Sequence, residues 1–230
     1  MTPRSNALLA SLPDREFMAM AGPMQLVSLV KGQTLFEAGQ TPQEVHYPVG
    51  AIVSMMVELS DGFSVETHMF GKSCMVGVGT VGSPSFYSAK VRSSGLAYRL
   101  SVEDLRRAWQ TCPTYMASAQ MALQRVFRQL SQSIVCSKRH SVDQQLVRWI
   151  LTTLDRTPSD IITVTHQELS ELLGFRREAV TLAMGRFHEL GYLSSCRGLL
   201  TVLDRSRLEE AVCDCYWTSL EKAPTLSSQP

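Results

Sequence analysis

The stretch that decides the fold is residues 165–191, THQELSELLGFRREAVTLAMGRFHELG. Thr165 stands ahead of a helical pattern with Glu168 three residues on, which is the spacing of a capping box. Leu169, Leu172 and Leu173 give that helix its apolar face. Gly174 falls where a tight turn needs a residue free to adopt positive φ. Val180 and Ala183 fix a second helix against the first, and Ser170 is small where the two backbones come closest. A small residue, a Gly four later and a β-branched residue six after that predict a helix-turn-helix.

The second helix presents Arg176, Arg177, Glu178 and Thr181 at its N-terminal end, on the face away from Val180. Those are the positions such a helix points at base edges. Arg can bond guanine O6 and N7 together, and Glu can accept from cytosine N4, so an Arg-Glu pair can read adjacent G·C pairs. The bland alternative is a solvated surface pair. Thr165, Gln167 and Arg186 complete the candidate DNA contacts on the two helices. Downstream, YLSSCRGLLTVL (192–203) is expected to form a hairpin wing with Arg197-Gly198 at its tip. A basic, flexible tip suits a phosphate or the minor groove, although an ordinary hairpin turn accounts for it as well.

Around this core the pattern is helical again. A helix over 142–155 buries Leu146, Trp149, Ile150 and Leu154, residues 157–160 break the chain, and Ile161-Ile162-Thr163-Val164 reads as a short strand. A final helix is expected from Arg205 to about Leu220. The tail 221–230 has nothing to pack and is expected to be disordered. Between His140 and Leu220 there are 8 Arg, no Lys and 11 acidic residues, a net of −3. Affinity for random DNA should therefore be modest and salt-sensitive, with specificity resting on a few helix contacts and on dimerisation.

The N-terminal half has a different texture. Leu8, Leu9, Leu12 and Phe17 predict a short helix over 5–20. From Gln25 to about Arg99 short β-rich runs follow: MQLVSLV, EVHY, AIVSMMVEL, FSVETHMF, AKVRS and LAYRL. Gly and Pro breakers recur between them, and Ser60-Asp61-Gly62 is a hairpin signal. That cadence predicts an antiparallel sandwich or barrel. Ser101 then caps a short helix, with Glu103 and Asp104 near the positive end of its dipole. After Pro113 a long helix runs to about Arg139. Met116, Ala119, Leu123, Val126 and Leu130 follow alternating spacings of three and four, which is a coiled-coil seam. Packing of that helix on its own sheet is the competing reading.

Composition sets limits on all of this. The chain has 230 residues, 22 Lys+Arg against 21 Asp+Glu, and 44% hydrophobic residues. Globular structure is expected, in two modest domains or one with a long accessory element. No apolar run is long enough for a membrane span and no signal peptide is visible, so a soluble cytoplasmic protein is expected. The 6 cysteines, Cys74, Cys112, Cys136, Cys196, Cys213 and Cys215, show no CxxC pair, and reduced thiols are the default.

The order of β-rich domain, long seam helix and winged helix-turn-helix resembles the cyclic-AMP receptor protein/FNR (CRP/FNR) superfamily of transcription regulators. The resemblance covers about residues 20–215. Its specific part is LTTLDR…VTHQELSELLGFRREAVTLAMGRFHELGYLSSCRG, with Arg177 and Glu178 at the family's base-reading positions. A third such position is often Arg; here it is Leu182, which implies a half-site shared only in part. The resemblance implies an α+β chain: a jelly-roll sensor over 1–111, a dimerisation helix over 112–139 and a winged-helix DNA-binding domain over 140–220. It also implies a two-fold dimer and a roughly palindromic operator.

The sensor departs from the family pattern. Cyclic-nucleotide binders carry Gly-Glu, then Arg-Ser/Thr-Ala, for the ribose hydroxyl and the cyclic phosphate. In GKSCMVGVGTVGSPSFYSAKV (71–91) the matching positions are Gly77-Val78 and Tyr87-Ser88-Ala89. Val78 cannot take a ribose hydrogen bond and Tyr87 cannot neutralise a phosphate, whose unpaired burial costs several kcal/mol. Cyclic AMP is not expected; Gly77, Gly79 and Gly82 are expected to keep tight turns. An iron–sulfur cluster is not expected either, because the family's cysteine cluster lies near the N-terminus and the first Cys here is Cys74. Haem would need His46 or His68, which read as structural. Cys136 and His140, four apart, can share a face for a metal or redox role, against plain packing. Cys213-Asp214-Cys215 can also bind metal, but two thiols at that spacing are weak evidence, and no metal is expected.

The expectation is a homodimeric, sequence-specific DNA-binding transcription regulator without catalytic residues. Its partners are double-stranded DNA, a second copy and, as a candidate, RNA polymerase, with no membrane and an unknown effector. An effector or partner would bias the sensor–DNA domain angle about a hinge near 138–141, or the sensor is degenerate. The competing classes are a jelly-roll metal enzyme using His46, Glu66 and His68, and a protein-binding module.

Overall fold

The computed structural model describes residues 2–77, 81–157 and 159–220. The tail 221–230 and the cassette positions Val78 and Gly79 lie outside the described residues. The chain divides into two compact units, Met1–Leu123 with Ser170–Gly174, and Gln124–Leu169 with the residues from Phe175 onward. The division thus falls within the long helix.

The first unit opens with a 3-10 turn at Pro3–Ser5, α1 (Ala7–Ala10) and α2 (Asp14–Ala21). The single helix expected over 5–20 is in fact broken, because Pro13 has no N–H to donate and its ring clashes with the preceding turn. Asn6 caps α1 through Leu8 N–H at 3.1 Å. The same side chain donates to the Pro48 and Cys74 carbonyls at 2.9 and 3.0 Å. One buried amide thereby ties the N-terminus to the strands.

Seven strands follow: β1 (Gln25–Leu29), β2 (Thr34–Phe36), β3 (Glu44–Pro48), β4 (Ile52–Glu58), β5 (Ser64–Phe70), β6 (Ser88–Ser93) and β7 (Gly95–Ser101). They form two antiparallel sheets, ordered β1-β7-β3 and β2-β6-β4-β5. Six of the seven coincide with the β-rich runs. β2 has only three residues and a register shift against β6, too little for periodicity to reveal. Asp61-Gly62 makes the expected β4–β5 turn: Gly62 has φ +85°, and Asp61 accepts from Phe63 N–H at 3.0 Å. The core gathers Leu9, Val45, Tyr47, Leu100, Leu105 and Tyr115. The Tyr47 and Tyr115 hydroxyls lie 2.6 Å apart, so neither buried phenol is left without a partner.

Gly77 and Gly82 both have positive φ, as expected for tight turns. Tyr87 is buried against the rings of Phe36, Phe70 and Phe86, with centroids 5.2–6.3 Å apart. Its phenol accepts from the Gly77 backbone, and burial pushes its pKa up to about 12. An aromatic cluster thus stands where the family resemblance puts the phosphate-binding Arg. His46 in β3 and His68 in β5 are buried on strands of different sheets, His68 edge-on to Phe70. Glu66 accepts from the Ser54 hydroxyl. Nothing brings these three together as an enzyme's metal ligands.

Ser101 caps α3 (Val102–Thr111) by accepting from Asp104 N–H at 3.0 Å. Pro113 then starts α4 (Pro113–Arg139), 27 residues long; proline suits a first helical position, where its missing donor is not needed. The seam expected along α4 needs correction. Ala119 and Val126 are buried within the chain, together with Tyr115 and Ala122. The exposed stripe is Met116 (40%), Leu123 (44%), Phe127 (71%) and Ile134 (64%), with Leu130 half-buried. Two apolar stripes of the same period lie side by side, and the expected seam took members from both.

Ser141 makes a full capping box at the start of α5 (Val142–Leu154), which buries Leu146, Trp149, Ile150 and Leu154. After β8 (Ile161–Thr163) come α6 (His166–Leu173), α7 (Arg177–Glu189), β9 (Leu193–Cys196) and β10 (Leu199–Val202). β10 is central in the sheet β8-β10-β9. The single helix expected from Arg205 is two, α8 (Arg205–Ala211) and α9 (Asp214–Leu220). Arg205 reaches Asp155 at 2.6 Å and Glu209 at 2.7 Å, so it pins α8 to the end of α5.

Candidate nucleic-acid interface

The expected capping box is present. Glu168 N–H donates to Thr165 Oγ1 at 3.1 Å, and Thr165 N–H donates to Glu168 Oε2 at 2.7 Å. Leu169, Ser170 and Leu172 are buried, and Gly174 turns the chain with φ +70°. An L-residue there would sit in the disfavoured left-handed region. Arg176 then opens α7 in an extended conformation, and no side chain caps the helix. The first N–H groups of α7 and the positive end of its dipole therefore remain available to an anion.

Val180, Ala183, Met184 and Phe187 are the buried side of α7. The opposite side carries Arg176, Arg177, Glu178, Thr181 and Leu182, all exposed. Among the described residues neither Arg176, Arg177 nor Glu178 enters an ion pair. Neighbouring residues on a helix point apart, so Arg177 and Glu178 do not neutralise each other.

The other expected contacts divide. Thr181 Oγ1 lies 3.1 Å from His166 Nδ1, so the threonine also links the starts of α6 and α7. Thr165 and Gln167 are exposed at the start of α6. The half-exposed Arg186 forks onto both Asp143 oxygens, with Nε at 2.8 Å, and joins α7 to α5. A bidentate pair of this kind fixes orientation as well as charge.

Arg197 and Gly198 form the two-residue tip between β9 and β10, with Cys196 opposite Leu199. Both have positive φ, 49° and 78°, the pattern of a type I′ turn. Arg197 is the only non-glycine residue in that region among those described, at a cost of order 1–3 kcal/mol. Asn or Gly would fit that conformation better.

Sequence reasoning missed Gly185, although the family resemblance had already placed Leu182 among the base-reading positions. Leu182 is 64% exposed in the middle of the charged face of α7. Gly185, one turn on, would meet nothing among the described residues within 4 Å if it carried a Cβ. A mid-helix Gly costs about 1 kcal/mol against Ala, and no internal packing asks for it. Periodicity cannot flag such a glycine, because it is defined by what does not touch it.

Residues 144–211 match the family model of the Crp-like helix-turn-helix domain. No curated protein sequence matches the chain. Among solved structures, FixK2 from Bradyrhizobium japonicum is similar at 17% identity and a TM-score of 0.68, over 83% of this chain and 98% of that one. The c-di-GMP responsive global regulator CLP of Xanthomonas campestris is similar at 17% identity and a TM-score of 0.67, over 83% and 99%. A transcriptional regulator assigned to the crp/fnr family from Eubacterium rectale covers more, 90% and 98%, at 14% identity and a TM-score of 0.70. The C-terminal region is therefore a Crp-like helix-turn-helix domain, in a chain that has the fold of the CRP/FNR transcription regulators.

Proposed function

We propose that this DNA-binding regulator acts as a homodimer on a roughly palindromic operator, reading bases with the N-terminal end of α7. The observation that carries this reading is the exposed, unpaired Arg176-Arg177-Glu178 group mounted directly above the buried Val180 and Ala183. The buried side fixes the helix, and the free side offers donors and an acceptor suited to G·C pairs. Leu182 fits an apolar contact with a thymine methyl. Arg197 at the wing tip supplies a phosphate contact, with Thr165 and Gln167 on α6 as further candidates. Arg186 is left out of the set because Asp143 holds it.

Dimerisation is assigned to the exposed stripe Met116, Leu123, Phe127, Leu130 and Ile134. An effector or partner then shifts the population between a dimer whose recognition helices match the groove repeat and one whose helices miss it. The connection at 138–141 supplies the hinge. RNA polymerase is a partner on this reading, and the chain has no catalytic role. Among the described residues no helix is long and apolar enough to cross a membrane. The aromatic packing of Tyr87 argues against a cyclic phosphate as effector.

Selection of binding sites from random duplex DNA with the purified full chain tests this. The expected result is two inverted half-sites whose centres are one helical turn apart, about 34 Å. Absence of enrichment, or a single unrepeated motif, overturns it. A Leu182→Arg protein carried through the same selection should exchange a T preference for G at one position of each half-site. Arg197→Asn should keep the wing folded, since Asn tolerates the left-handed region. It should weaken binding uniformly across sequences and lower the salt slope by about 1 per subunit, as measured by titrations at several salt concentrations.

A further inference from the structure

Between α8 and α9 the chain leaves the helix at Val212, with φ −74° and ψ 153°, although no Pro or Gly stands there. The break turns Cys213 and Cys215 inward, at 3% and 2% exposure. They meet Cys136 and His140, which lie one turn apart at the end of α4. Cys136, Cys213 and Cys215 form a buried cluster of their own, made of nothing but cysteines. Cys136 Sγ is 3.7 Å from Cys213 Sγ, and Cys215 Sγ is 3.4 Å from His140 Nδ1. All four donor atoms lie within 4.8 Å of one another. Among the described residues this is the only such group of three or more His, Cys, Asp or Glu side chains.

A tetrahedral zinc ion with bonds of about 2.3 Å to sulfur and 2.0–2.1 Å to nitrogen sets its S···S edges near 3.8 Å and its S···N edges near 3.6 Å. The two close contacts match those edges. Plain packing explains a 3.7 Å pair of thiols; it does not explain a third thiol and an imidazole nitrogen converging on the same point. The surroundings suit a bound cation as well. Gln132 Nε2 donates to Cys215 Sγ at 3.0 Å. Arg148 hydrogen-bonds Cys136 and also reaches Ser133 at 2.9 Å. Three thiolates, a neutral imidazole and a divalent ion carry one net negative charge, which Arg148 offsets. N–H groups that donate to ligating sulfur are the outer shell such sites need. Gln145 donates to the His140 carbonyl at 2.9 Å and steadies that residue.

We propose that Cys136, His140, Cys213 and Cys215 bind one zinc ion in a closed tetrahedral Cys3His site. Four protein ligands leave no open position, so the site is structural and not catalytic. Sulfur-rich tetrahedral ligation favours zinc over the harder divalent cations. Cys136 and Cys213 are 77 residues apart, and the segment between them holds the helix-turn-helix and the wing. One ion therefore fastens the end of α4 to the last two helices and closes the chain around the DNA-reading elements. Each Cys–His or Cys–Cys pair is weak evidence alone; the helix break that joins them is invisible in the sequence.

The test uses the full chain purified under reducing conditions, with zinc measured by elemental analysis and cobalt(II) as a spectroscopic substitute. The expected results are about one zinc per chain, and with cobalt the strong visible bands of a tetrahedral ion plus thiolate charge transfer. Zinc should protect three cysteines from alkylation, counted by mass spectrometry before and after chelation. Cys213→Ser and His140→Ala should weaken zinc binding at least tenfold, whereas Cys196→Ser, at an exposed cysteine outside the group, should leave it unchanged. Three results overturn the proposal: wild-type protein that takes up no zinc or cobalt when reloaded, a Cys136–Cys213 disulfide in its place, or alkylation that is indifferent to metal. The alkylation count needs only wild-type protein, so it decides the matter even if the variants do not fold. None of these measurements depends on DNA binding.

Discussion

Replacing Arg177 with Ala is expected to weaken binding to the selected operator by about 1–3 kcal/mol at each half-site. Over a two-fold complex this compounds to roughly 30-fold at least, and to more than 10⁴-fold if both contacts are fully bidentate. The fold should not notice, because Arg177 is exposed and makes no ion pair within the described chain. Surface changes of that kind stay within about 0.5 kcal/mol of wild-type stability. Titrations against the operator, against a version with the contacted G·C pair exchanged, and against random duplex separate the roles. A base-reading arginine loses its preference for the correct pair and leaves random binding nearly intact. Equal loss on all three duplexes would falsify base reading and assign Arg177 to a phosphate. Lysine is no conservative substitute, since it offers a point charge in place of a planar fork.

How much of this was legible in the sequence depends on whether a feature is local. The helix-turn-helix was, because its capping box, its positive-φ glycine and its buried residues all fall within one short segment. The strands were too, apart from three-residue β2. Pro13 is a breaker that apolar spacing alone does not register. What stayed hidden depends on distant partners. Asp143 pairs with Arg186 from another helix, and Cys136 meets Cys213, 77 residues away. The break at Val212 has no Pro or Gly to mark it in the sequence.

Helix α4 is the instructive intermediate case, and it yields the second large effect. A 3-4 spacing announces an apolar stripe but cannot say which of two neighbouring stripes faces inward. Tyr115, Ala119, Ala122 and Val126 turn into the chain, which leaves Met116, Leu123, Phe127 and Ile134 exposed and Leu130 half-buried, with the same period. Phe127, at 71% exposure, is the largest side chain of that set. Burying it across a two-fold seam is worth about 1.5–3 kcal/mol per copy, and a charge in its place faces a second copy of itself. Phe127→Glu should therefore yield folded monomers, by light scattering or sedimentation, with the melting behaviour of a single subunit retained. Losing the second half-site contact should lower operator affinity by about 10²–10⁴-fold. Val126→Glu, one residue away, should instead unfold the chain, because its side chain is 5% exposed and a lone buried carboxylate has no partner there. If Phe127→Glu remained dimeric while Val126→Glu dissociated without unfolding, the inward and outward stripes would have to be exchanged.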